Sequence, residues 1–161
     1  ASAQDAVREY ERGVALGSVD ATVALAALVD RSDRGIRQNR KRAKMLLVKA
    51  SNAGCPRARY ELGRRMIYAD GCARDEVEGV RLLGLSAAQG YADAEYELGR
   101  ARLVGLARGT PSEELARVWL LRAAARDHAP AQALLAALEP EQTGAVLAAL
   151  AEAVGGRGGV L

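Results

Sequence analysis

The chain has 161 residues, half of them apolar, and its 23 basic and 20 acidic side chains leave a formal charge of only +3. That balance excludes an unstructured polyelectrolyte and gives no reason of its own to expect nucleic acid or a membrane surface as partner. No apolar run approaches the roughly 20 residues needed to span a bilayer. Aromatic residues are 4% and Phe is absent, so the core must be built from small and aliphatic side chains, which suits closely packed helices. No window alternates as a half-buried strand would, and the chain reads as all-α.

Helices are predicted near 2–16, 20–31, 39–53, 56–69, 75–89, 92–105, 112–126, 129–138 and 141–154. Their order follows an internal repeat of 36 or 37 residues. Tyr60-Glu61-Leu62-Gly63-Arg64 recurs as Tyr96-Glu97-Leu98-Gly99-Arg100, and the same register sets Ala21, Ala58, Ala94 and Ala131 four residues before Leu25, Leu62, Leu98 and Leu135. Residues four apart stack on one helix face. A second set, Ala43, Gly79 and Ala116, leads Leu47, Leu83 and Leu120 by the same step, so each repeat holds two helices. Ser2, Asn39, Asp75 and Ser112 can cap the second helices, because the first amides of a helix need an acceptor. Asp75 and Glu78 suggest a variant capping box. Gly17, Gly54 and Gly90 stand where those helices should end in a left-handed residue, and Pro56 suits a first turn. The segment after Pro140 is expected to leave the repeat and cover the end of the core, with 155–161 a tail.

The middle repeat resembles the Sel1-like repeat, a relative of the tetratricopeptide repeat. Ala58, Leu62-Gly63, Gly71, Asp75, Ala87-Ala88 and Gly90 fall on its pattern; Met66, Ala69, Cys72 and Gly79 depart from it. The following copy keeps Ala94, Leu98-Gly99, Gly105, Ala116, Trp119 and Ala123-Ala124, with Asp127 at the closing glycine. The resemblance implies an α-α superhelix, a right-handed solenoid of antiparallel helix pairs. Its units are expected at 17–53, 54–89 and 90–126, after a half-repeat at 1–16 and before a degenerate repeat and capping helix at 127–154. It also implies an adaptor for a protein partner, as in bacterial envelope, polysaccharide-export and regulatory complexes. The start at Ala1-Ser2-Ala3-Gln4, without Met or a signal-like stretch, suggests a segment of a larger bacterial protein. Cytoplasm and periplasm both remain open.

Side chains that could carry chemistry are few. His128 is the only histidine, and it lacks the fixed-spacing partners of a metal site or acid-base triad, so neither catalysis nor a metal or other cofactor is expected, and no small-molecule substrate is evident. Cys55 and Cys72 flank one helix of about 14 residues, hence roughly 20 Å apart, beyond the reach of a disulfide. Unpaired thiols lean towards a reducing compartment. Arg31, Arg34, Arg37, Arg40, Lys41 and Arg42 are the densest charge; a solvated loop, a docking site for an acidic protein or lipid surface, and a nucleic-acid contact all fit. Asp30 and Asp33 dilute the charge and no stacking aromatics accompany it, which disfavours nucleic acid. The better surface is the repeated stripe Tyr60, Arg64, Ile67 and Tyr96, Arg100, Leu103, residues three and four apart on the first helix of successive repeats. By similarity with tetratricopeptide arrays this stripe lines the concave groove. Tyr and Arg are common at binding hot spots, although an aromatic before Leu-Gly is also framework in this family.

Overall fold

Local chemistry starts the helices. Ser18, Asn39, Asp75 and Ser112 each turn a side-chain oxygen onto the amide three residues on, at 3.2, 2.8, 3.0 and 3.3 Å, satisfying one of the amides that a helix start leaves unpaired. The computed structural model describes residues 3–31, 37–138 and 152. These form α1 (Ala3–Ala15), α2 (Val19–Asp30), α3 (Arg40–Asn52), α4 (Pro56–Tyr68), α5 (Glu76–Ala88), α6 (Ala92–Val104), α7 (Glu113–Ala124) and α8 (Ala129–Ala137). No strand occurs among the described residues, and the all-α expectation holds, with helix ends within about two residues of those predicted. The cap expected at Ser2, the helix expected at 141–154, the tail and Arg34 lie outside the described residues, Glu152 apart.

Asp75 corrects one detail. Its carboxylate caps Glu78 N–H, but its own amide donates to the carbonyl of Met66 at 2.9 Å, while the Glu78 carboxylate takes both Arg81 nitrogens at 2.6 and 2.7 Å. The reciprocal half of a capping box is absent, because a backbone acceptor from α4 reaches the amide first.

The chain divides into two compact units, residues 1–62 and 63–161, parted within α4. In the first, Leu25, Val29 and Ala43 form one cluster with Val7, Val14 and Leu46 against it, and Val23, Ala26, Leu47, Ala50 and Ala58 form another. In the second, Leu103, Ala116, Leu120, Ala123, Ala131 and Leu138 make the core beside Tyr96, Leu134 and Leu135. The small residues of the repeat register allow the helices to approach. A Cβ on Gly63 would stand 2.8 Å from the carbonyl of Gly79, and one on Gly99 would stand 2.8 Å from Leu120 Cγ, both closer than carbon atoms tolerate.

Gly90 ends α5 in the left-handed region at φ +78°, as that position requires. Asp127, one repeat on, takes φ +59° without being glycine, and Ala69 takes +54° where Gly105 takes +70°. Those two sites hold backbone strain that glycine would relieve.

Candidate partner-binding face on α4 and α6

The face forms around Glu97, whose side chain is only 8% exposed on α6. Burying a carboxylate demands compensation, and three side chains supply it. Arg100, one turn along the same helix, places Nη1 3.2 Å from both carboxylate oxygens. Tyr68, from the last turn of α4, donates its hydroxyl to Oε2 at 3.1 Å. Arg64 brings Nε within 3.5 Å of Oε1. Each guanidinium also lies against a ring, Arg64 at 5.8 Å from Tyr68 and Arg100 at 5.7 Å from Tyr96, within cation-π range.

Burial, and then the charge of Glu97, raise the Tyr68 phenol above its ordinary 10.0, although Arg100 and Arg64 pull the other way. Burial raises Tyr96 likewise. For Arg100, burial works against the charged form, but Glu97 and the two tyrosines outweigh it and the guanidinium is held more firmly protonated than usual. Two cations therefore flank one carboxylate.

Arg64, Tyr68, Tyr96, Glu97 and Arg100 thus come together in the second unit. Tyr60 lies half-buried on α4 in the first unit. Ile67 and Leu103 are placed otherwise than the stripe supposed: both are 2% exposed and belong to the core. Their helical spacing is as read, but α5 and α7 cross over the ends of α4 and α6 there; a Cβ on Gly79 would stand 2.7 Å from Ile67 Cγ1, and Leu103 packs with Ala116 and Leu120. Glu97 and Tyr68 were not singled out from the sequence. The signal for Glu97 was its i, i+3 relation to Arg100; for Tyr68 it was the i, i+4 step from Arg64.

Neighbouring polar groups are structural. Glu95 is fully buried and held by Arg122 Nε at 3.4 Å and Arg126 Nε at 3.2 Å, with Arg122 stacked 4.7 Å from the Trp119 ring. His128 caps α8: Nδ1 accepts the Ala131 amide at 3.1 Å, so Nε2 carries the hydrogen and donates to Asp93 at 3.1 Å. Its ring also packs 5.0 Å from that of Tyr96. Neither cysteine is in a disulfide. Among the described residues no cluster of three His, Cys, Asp or Glu could hold a metal, and no helix is long and apolar enough to cross a membrane. Of the basic loop, Arg37 and Arg40 are exposed, while Arg42 pairs with Glu11 of α1.

Paired helices in a 36 to 37 residue repeat, with short capped turns and small residues at the crossings, define an all-α repeat of the kind that generally serves as a protein-interaction scaffold. The chain belongs to the Sel1 repeat family, which it matches at residues 19–55, 56–91 and 92–128. It is similar to the crystal structure of a Sel1 repeat protein from Oxalobacter formigenes, at 29% identity and a TM-score of 0.70, over 80% of this chain and 95% of that one. It is also similar to c5321, a protective antigen of uropathogenic Escherichia coli with an SLR fold, at 28% identity and a TM-score of 0.71, over 82% of this chain but only 28% of that one. No curated protein sequence matches it.

Proposed function

We propose that this chain is a non-catalytic adaptor segment of a larger bacterial protein, binding a protein partner on the face that Arg64, Tyr68, Tyr96 and Arg100 build. The carrying observation is the pair of arginines held on a buried carboxylate. Ion-paired guanidiniums fixed against aromatic rings have lost much of their rotamer freedom already, so less entropy is lost when a partner docks. Ile67 and Leu103 serve this face from beneath, as the packing that fixes the two helices. The register gives alanine at 27 and 137 where it gives arginine at 64 and 100, which limits the face to the two middle repeats.

The basic-loop alternative is weaker on this geometry, since the Glu11 carboxylate already neutralises Arg42. The test is affinity capture with the wild-type chain and with Arg64→Glu, a side chain 35% exposed. A partner captured by the wild type should be lost with Arg64→Glu while helicity stays as it was, the melting temperature falling only by the few degrees that a lost counter-ion to Glu97 accounts for. Capture that persists unchanged places the partner elsewhere.

A further inference from the structure

The stripe that α7 turns outward is apolar where the repeat does not require it. Leu115, Val118 and Leu121, at steps of three along the helix, are 52%, 53% and 59% exposed, whereas the preceding repeat carries Glu78, Arg81 and Gly84 at the same register. A further repeat would leave the stripe open, because the side chain of Arg81 is 57% exposed although α7 follows it. Large aliphatic side chains gathered in the open on one helix face mark an interaction surface.

The charges at the two ends of the stripe say what fits it. Glu114 is exposed and in no ion pair among the described residues. Arg122 is 47% exposed and steadied by the Trp119 ring and by the buried Glu95, which Arg126 also holds. Counted from Val118, Glu114 and Leu115 stand four and three residues before, and Leu121 and Arg122 three and four after. An antiparallel copy of the helix centred on Val118 therefore sets Leu115 level with Leu121 and Glu114 level with Arg122, and the twofold axis makes each pairing twice. A parallel copy would set Arg122 level with Arg122, like charges together. We propose that α7 is the contact of a homodimer, in which two copies of this helix pack antiparallel across a twofold axis at Val118. Three aliphatic side chains from each copy make a contact smaller than a standard interface, so the association is weak and the dimer fills as concentration rises.

Sedimentation equilibrium of the whole chain from about 10 µM to about 1 mM, the span of weak association, should show a dimer rising with concentration. Val118→Glu sets two carboxylates against each other on the twofold axis and should hold the chain monomeric. Its helicity in dilute solution should match the wild type, because the position is open to solvent there and Glu is a good helix former. Glu114→Lys sets a cation level with Arg122 of the other copy and should weaken the dimer about tenfold, as two exposed pairs turn from attraction to repulsion. That difference should shrink as salt is raised. A chain that stays monomeric throughout, or a dimer indifferent to Val118→Glu, overturns the proposal. A dimer that Val118→Glu abolishes and Glu114→Lys leaves unchanged overturns the antiparallel pairing. A monomer in solution whose position 118 crosslinks to a different protein in cells gives the stripe to that protein and overturns the homodimer.

Discussion

Two glycines of one helix should respond oppositely to the same substitution. Gly79 and Gly84 both lie within α5, and in a helix interior alanine is favoured over glycine by about 0.8–1.0 kcal/mol. A Cβ on Gly84 meets nothing within 4 Å, so Gly84→Ala should gain that full amount. A Cβ on Gly79 would stand 2.7 Å from Ile67 Cγ1, 2.8 Å from the carbonyl of Gly63 and 3.3 Å from the amide of Ile67. Two of those atoms are backbone and the third belongs to a side chain 2% exposed, so relief requires α4 and α5 to separate. Overpacking of this kind costs about 1–3 kcal/mol, which outweighs the propensity gain and leaves Gly79→Ala destabilised by up to about 2 kcal/mol. With roughly 2–4 °C per kcal/mol at this chain length, the two variants should melt on opposite sides of the wild type, by a few degrees each, in thermal scans followed by circular dichroism. A Gly79→Ala protein as stable as Gly84→Ala would refute the claim that this crossing sets the repeat's small-residue pattern.

Ala69→Gly should stabilise the fold by about 0.5–1 kcal/mol, since relief of the left-handed strain exceeds the added freedom of the unfolded chain; urea titration reads this, and a loss would contradict it. His128→Ala should cost about 1 kcal/mol as a lost helix cap, measured the same way; no loss would remove the capping role. Tyr68→Phe deletes the hydroxyl on Glu97 and should cost about 1 kcal/mol at neutral pH. The sign of its pH dependence follows from a phenol raised above 10.0 in the folded state: the unfolded chain loses this proton first, so the stability is full below about pH 10 and declines as pH rises towards the folded value. The gap between wild type and Tyr68→Phe should therefore narrow above pH 10 in urea titrations, and a gap that widens there would contradict the assignment.

Features legible in the sequence are those whose physics is local or periodic. Asn39, Asp75 and Ser112 announce helix starts because a cap acts over three residues, and Ala58, Ala94, Leu62 and Leu98 are buried as their spacing says. What could not be read depends on which residues arrive from other helices. Ile67 and Leu103 share the stripe of Arg64 and Arg100 by angle, yet crossing helices cover them. Glu95 and Glu97 look like ordinary surface glutamates until Arg122, Arg126, Tyr68 and Arg64, all about 30 residues away in sequence, close over them. The capping box at Asp75 failed for the same reason, through the carbonyl of Met66. At the candidate site the sequence supplied the arginines and Tyr96, and the tertiary structure supplied the carboxylate that organises them.

Site-directed photo-crosslinking in the native cell tests the central claim most directly. A benzophenone amino acid is placed at position 96, beside Arg100, or at position 118 on α7, where Val118 is 53% exposed. The account predicts a discrete adduct with a different protein from position 96 that disappears when Arg64→Glu is added, and from position 118 only an adduct between two copies of this chain. An adduct with a different protein from position 118 alone, indifferent to Arg64→Glu, would contradict it.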